Sequence, residues 1–217
     1  MRQRAEARAG AIIDVVLDLL ESDGYEAVQG RTVASRAQVS LSTIYKLFGT
    51  RDQLIVCALE HWMDDHAYSE LTTAEPNEPA YETMLRVLRT VFQPWVEHPQ
   101  MLVAYYHAST SPGGEQLKMH GMAVVQPIVE AALPEDDPDW LADVKLIYGH
   151  VVRAVMARFA NGEIGITEVL PILERTLYRL TTDNRLKRST RPRTKRTMQR
   201  ADKPTLHRST TRARYKA

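Results

Sequence analysis

Disulfide chemistry has no material in this chain: among 217 residues there is one cysteine, Cys57, so no intramolecular bridge can form. A lone thiol suits a reducing compartment and excludes a disulfide scaffold. Glycine and proline number 10 and 11, too few for a collagen or low-complexity polymer. No apolar run reaches the ~18 residues that a membrane span needs. Arg2, Arg4 and Glu6 at the start precede no signal-like apolar block. Net charge is also lacking, at a formal +1. What is present, 44% apolar and 25% charged residues, fits an ordinary globular protein. The expectation is a complete cytoplasmic chain without a membrane partner, folding as one large domain or two unequal ones at ~150 residues per domain.

The near-neutral total hides an asymmetry. Residues 1–182 hold 15 Lys and Arg against 25 Asp and Glu, a net of −10. Residues 183–217 hold 13 basic and 2 acidic side chains, a net of +11, with Leu186, Met198, Leu206 and Tyr215 as their sizeable apolar groups. That segment has too little apolar surface to fold alone and is expected to be a disordered basic tail.

Before the tail the apolar residues recur at helical spacing and no alternating strand pattern stands out, so an all-α fold is expected. The stripes are Ile13, Val16, Leu17, Leu20; Tyr81, Met84, Leu85, Leu88, Val91, Phe92, Trp95; Leu141, Val144, Ile147, Tyr148, Val151, Val152, Val155; and Val169, Leu170, Leu173, Leu177, Leu180, with Thr167 as N-cap of the last. Breaks fall at Asp23-Gly24, Thr72 to Pro79, Ser111 to Gly114, Pro134 to Pro138 and Asn161-Gly162. Pro127 should kink or divide the run from Leu117 to Leu133.

Between Gly24 and Leu54 the helical signals are short and dense. Thr32 to Ala37 reads as one helix, Gln38-Val39 as a tight turn, and Ser40 as the N-cap of a second helix from Leu41 to Phe48. Small Ala34 and Ala37 allow a close crossing, and Val33, Val39, Ile44 and Leu47 or Phe48 supply a small core. This is the layout of a helix-turn-helix.

These residues carry a dense resemblance. Ile12 to Leu20 with Gly24-Tyr25-Glu26-Ala27, Val33 to Ser40, Ser42 to Phe48 and Arg51-Asp52-Gln53-Leu54 resemble the DNA-binding signature of the TetR family of bacterial transcriptional regulators. Two positions depart from it. Gln38 stands where the family usually has Gly in the turn, so this residue is expected at φ > 0 or in an altered turn. Gly30 and Val28 stand where an apolar residue and a Thr are common.

The resemblance implies an N-terminal helix-turn-helix DNA-binding domain over 1–55, a ligand-binding and dimerisation domain over 56–182, and the tail over 183–217. The helix Leu41–Phe48 would lie in the major groove, with Ser40, Leu41 and Ser42 toward the bases and Leu41 suited to a thymine methyl. Thr43, Tyr45 and Lys46 correspond to positions that touch phosphates or neighbouring bases. Arg51 and Arg31, each at a helix start, are further phosphate candidates. Residues 1–55 carry 7 basic and 7 acidic side chains, so placement rather than bulk charge has to supply affinity. For Tyr45 packing against the first helix is the competing role, and for Lys46 a solvated charge.

In the second part Trp62, Met84, Phe92, Trp95, Tyr105, Tyr106, Met119 and Met122 suit an apolar ligand cavity, and ordinary core is the alternative for each. The last two stripes, with Ala142, Gly149 and Ala154, resemble the helix pair through which the family forms a homodimer by a four-helix bundle. The implied function is a repressor that binds a palindromic operator and is released by a small effector, coupled through the helix from about Arg51 to His66. Val28-Gln29, the Trp95–Pro99 turn and the closing helices resemble the branch controlling steroid and lipid breakdown in actinobacteria, which implies an apolar or acyl-thioester effector. The competing class is a helical small-molecule-binding protein or enzyme without operator-specific DNA binding.

Other signals point nowhere further. His61 and Asp65 have a metal-compatible i, i+4 spacing beside Asp64 and His66 but no third ligand at matching spacing. Glu135-Asp136-Asp137-Pro138-Asp139 lacks the alternation of a calcium loop. No phosphate loop, nucleophile elbow or H-E-x-x-H occurs, so no catalytic residue, cofactor or metal is implied, and Cys57 is expected to be buried and inert.

Overall fold

A computed structural model describes residues 2–73, 75, 78–132 and 138–182, with side chains from residue 6 onward. The basic stretch 183–217 and the acidic run Glu135 to Asp137 lie outside the described residues. Among the described residues every regular element is helical, and no helix is long and apolar enough to cross a membrane.

The helix α1 spans Arg2–Ser22. It buries Ile12, Val16, Leu19 and Leu20, while Ile13 and Leu17 of the expected stripe flank that face half-buried. Gly24 turns the chain at φ 81 into the 3-10 turn Tyr25–Ala27. Then come α2 (Gly30–Arg36), α3 (Leu41–Phe48) and α4 (Arg51–Trp62). α4 runs on without a break into a π-helical turn, Met63–Tyr68. The remaining helices are α5 (Ala80–Glu97), α6 (Pro99–Thr110), α7 (Glu115–Ala132), α8 (Pro138–Ala160) and α9 (Ile166–Thr182).

A continuous buried cluster runs from Ile12 in α1 through Leu54, Leu59, Trp62, Phe92 and Leu117 to Leu177 in α9. The expected boundary at 55/56 therefore falls between two buried residues, Ile55 and Val56, in the middle of α4. The head formed by α1–α3 packs on the body through α1 against α4 and α6. α5 and α8 both lie along α9. At the head–body seam Trp62 lies 4.4 Å from Trp95 and stacks on His66 at 4.9 Å. His98, at the α5–α6 junction, donates from Nδ1 to Glu21 on α1 at 2.8 Å. His120 on α7 donates to Asp64 in the π turn at 2.7 Å.

One local expectation fails at α9, and the dividing half of another fails at α7. Thr167 does not cap α9: the helix begins at Ile166, and the N–H of Gly165 donates to Glu168 Oε2 at 2.8 Å. That is the returning half of a capping box, so the capping chemistry sits at Gly165 and Glu168, two residues before and one after Thr167. Pro127 does not divide α7, which continues through it. Pro127 and Ala123, whose carbonyl loses its N–H partner, are both exposed, so that carbonyl faces water.

Candidate DNA interface

The turn between α2 and α3 closes through Ala37 N–H to Val33 O at 2.8 Å and Val39 N–H to Ala34 O at 3.0 Å. Closing it within two residues forces Gln38 to φ 51, the left-handed conformation that Gly would adopt at less cost. Val33 and Ile44 are buried beneath the crossing, Val39 and Phe48 are half-buried, and Leu47 is on the surface.

Ser40 starts α3. Its Oγ accepts from the N–H of Thr43 at 3.2 Å and lies 2.8 Å from both Ser42 Oγ and Thr43 Oγ1. Three hydroxyls thus gather at the N-terminus of α3, with Ser40 committed to capping and Ser42 fully on the surface. Gly49 ends the helix at φ 78, its N–H donating to Tyr45 O at 3.0 Å. Thr50, which the sequence reading passed over, caps α4 by accepting from Gln53 N–H at 3.1 Å.

The exposed side of α3 presents Ser42, Tyr45 and Lys46, with Leu41 and Thr43 half-buried beside them. Tyr45 is 49% exposed, with its hydroxyl beside Gly30 of α2. Arg31 is exposed at the start of α2. Five of the eight expected residues, Arg31, Ser40, Ser42, Tyr45 and Lys46, are thus on the surface around the α2–α3 pair, with Leu41 and Thr43 half-buried among them.

Arg51 is the exception. Its guanidinium turns inward, donating from Nε to Val28 O at 2.6 Å and from Nη2 to Tyr25 O at 2.7 Å. It lies 4.7 Å from the centre of the Tyr25 ring. Glu26 and Asp52 each stand 3.7 Å away. The Tyr25 ring also lies 5.4 Å from that of His107 of α6. The phosphate contact expected of Arg51 does not fit this geometry: the side chain ties the start of α4 to the corner after α1.

Among the described residues, the eight expected to line a ligand cavity have different surroundings. Trp62, Met84, Phe92 and Trp95 belong to the packed core, Tyr105 and Tyr106 are half-buried, and Met119 and Met122 lie 67% and 55% exposed on α7. Trp95 and Tyr105 pack edge to face at 5.3 Å. An open cleft of about 610 Å³ lies elsewhere, between the π turn, α5 and Leu170, lined by Asp65, Glu70, Arg89, Glu97 and His98 among others and by none of the eight. Trp62, Met84, Phe92 and Trp95 thus occupy ordinary core, the alternative that helical spacing favours. Of the former metal candidates, Asp64 pairs with His120 and Asp65 lies 3.5 Å from His61, so they face different partners. Cys57 is half-buried rather than buried, and desolvation, with the Glu60 carboxylate nearby, raises its thiol pKa and keeps it neutral.

Comparison with known proteins places both parts of this arrangement. Residues 12–56 match the family described as bacterial regulatory proteins, tetR family. Residues 78–180 match the tetracyclin repressor-like C-terminal domain. HTH-type transcriptional repressors KstR from Rhodococcus jostii (strain RHA1) and Mycolicibacterium smegmatis (strain ATCC 700084 / mc(2)155) are 46% and 44% identical over 52 residues. That match covers 24% of this chain and 24% and 26% of those proteins, so the chain aligns with about a quarter of their length. A TetR transcriptional regulator from Rhodococcus sp. RHA1 shares the fold at a TM-score of 0.66, with 19% identity over 83% of this chain and 98% of that one. A TetR family transcription regulator from Marinobacter aquaeolei VT8 does so at 0.51, with 16% identity and the same coverage. With a helix-turn-helix match at its head, a family-specific body behind it and an all-α fold joining them, the chain belongs to the TetR family of bacterial transcriptional regulators.

Proposed function

We propose that this regulator is a repressor that binds a palindromic operator as a homodimer and is released by a small effector. The observation that carries the reading is α3 itself. It is a capped eight-residue helix whose outer face offers a hydroxyl, a phenol and an ammonium, Ser42, Tyr45 and Lys46, at groove-accessible spacing. Leu41 and Ser42 would meet base edges, and Thr43, Tyr45, Lys46 and Arg31 would position the helix on phosphates.

Support for a homodimer comes from α8 and α9. α8 has 23 residues, of which Val144 and Val155 are buried. Leu146 is 60% exposed, Ile147 and Tyr178 are also on the surface, and a Cβ on Gly149 would meet nothing within 4 Å. Two copies packed through these helices would bury that apolar face and set two recognition helices one operator turn apart.

The effector reading rests on the aromatic and Met content of α5–α7 and on the branch that Val28-Gln29 resembles; a large apolar molecule or acyl thioester is its class. Because Trp95 and Phe92 are packed in the core, uptake would part the helices near Tyr105. The shift would reach the head through α4, clamped to the corner by Arg51 at one end and ending at the π turn at the other. The basic stretch 183–217 would add phosphate contacts independent of sequence.

Gel shift against the intergenic DNA upstream of the protein's own gene tests the reading. A discrete complex over an inverted repeat, resistant to random competitor DNA and dissolved by the effector, is expected. No protected palindrome at modest salt leaves instead a helical protein that binds small molecules without an operator.

A further inference from the structure

Glycines in this chain serve two different needs. Gly24, Gly49, Gly113 and Gly162 occupy positive φ, where a side chain is strained. Gly30 does not, and it sits at the first position of α2, where glycine is a poorer helix former than alanine. What Gly30 supplies is space. A Cβ there would stand 3.0 Å from Leu41 Cδ1, 3.3 Å from the Tyr45 hydroxyl oxygen and 3.7 Å from Tyr45 Cζ. Leu41 and Tyr45 are i, i+4 on the recognition helix, so both lie along one face. The bare α-carbon of Gly30 forms the floor beneath them.

We propose that Gly30 is a specificity-determining residue of the DNA interface: by lacking a side chain it seats Leu41 and Tyr45 at the depth from which they meet DNA. The inference rests on the operator-binding reading above. The backbone of α3 is held independently, by the Ser40 cap, by buried Ile44 and by the Gly49 terminus. A side chain at position 30 is therefore accommodated by the ends of half-buried Leu41 and exposed Tyr45 rather than by the helix. A displacement of 0.5–1 Å forfeits about a quarter to a half of a van der Waals contact, such as that between a leucine methyl and a thymine methyl. Base preference then changes while the fold stays.

The test is selection from a randomised duplex DNA library with the full chain, run beside thermal melts. The wild type is compared with Gly30→Ala, Gly30→Val and the control Gly10→Ala, since a Cβ on Gly10 meets nothing within 4 Å. The wild type and Gly10→Ala are expected to enrich the same inverted repeat. Gly30→Val should lose about fivefold or more of its preference at one base step in each half-site, with Gly30→Ala between them and melting no lower than the wild type. The inference is overturned if Gly30→Val enriches the wild-type repeat equally, or if Gly30→Ala loses its melting transition together with all DNA binding. A wild type that enriches no sequence overturns the operator reading, and this inference with it.

Discussion

At the scale of single residues, the division of labour between Arg51 and Lys46 is the sharpest result. Both are basic and both stand within the helix-turn-helix region, yet one is anchored on two main-chain carbonyls and the other is open to water. Removing Arg51 takes a charged donor from the carbonyls of Val28 and Tyr25, the second of which keeps the Val28 N–H at 3.4 Å. Arg51→Gln is expected to lower stability by about 1–3 kcal/mol in urea unfolding and to leave the salt slope of DNA binding unchanged. Lys46→Ala should do the opposite, costing little stability while reducing that slope by about one unit. A shallower slope for Arg51→Gln would restore the phosphate role to Arg51.

At the scale of elements, α3 and its turn were legible in the sequence to the residue, α2 starts two residues before the expected Thr32, and the body was legible only in outline. Ser40 and Phe48 bound α3 where the cap and stripe put them, and Gln38 takes the positive φ that a non-glycine in a two-residue turn requires. Local chemistry decides these features, so local sequence reports them. α6 was not read as a helix because its buried residues, Met101, Leu102, Ala104, Ala108 and Ser109, include small and polar ones that make no apolar stripe. Nor did spacing say whether Trp62 or Phe92 faces a cavity or the core, because both faces look alike until the neighbouring helices are in place. The inward turn of Arg51 depends on carbonyls 23 and 26 residues away.

The entry to α5 adds a pH dependence. Glu78 accepts from Arg86 Nη2 at 2.8 Å and from Thr83 Oγ1 at 2.8 Å, and these bonds hold its carboxyl at about 2. Arg86 also donates to Thr72 Oγ1 at 2.7 Å and to Thr73 O at 3.2 Å, strapping the preceding loop to the helix. A depressed carboxyl stabilises the fold fully above its ordinary value of 4.5 and ceases to do so as pH falls through about 2. In Arg86→Gln that pH-dependent contribution should shrink to what the Thr83 hydroxyl and the Glu75 N–H still supply. Urea unfolding at pH 7 and pH 2 checks it: the deficit of the variant is expected to shrink on acidification, and an equal deficit at both pH values would exclude Glu78 as its source.

At the scale of the whole molecule, two features stand out: the exposed apolar surface of α8 and α9, and the opposite net charges that the sequence gives residues 1–182 and 183–217. Leu146→Arg places a charge where the proposed dimer would bury it. Sedimentation is expected to show a monomer with an unchanged helical circular dichroism signal, because Leu146 is already mostly exposed in the single chain. A dimer that persists would move the interface elsewhere. For the charge asymmetry, a body of −10 repels DNA and a segment of +11 offsets it. Deleting residues 183–217 should flatten the salt dependence of binding without altering the preferred sequence. An unchanged slope would leave that segment without a role on DNA.

The central claim is that α3 reads an operator from a two-fold dimer. Footprinting of the upstream intergenic DNA by the full chain, at modest salt and with excess random competitor, addresses it directly. The account predicts two protected half-sites in inverted repeat, their centres about 34–36 Å or a multiple of one helical turn apart. Protection that spreads evenly along the duplex, or that random DNA removes in proportion to its length, would contradict it.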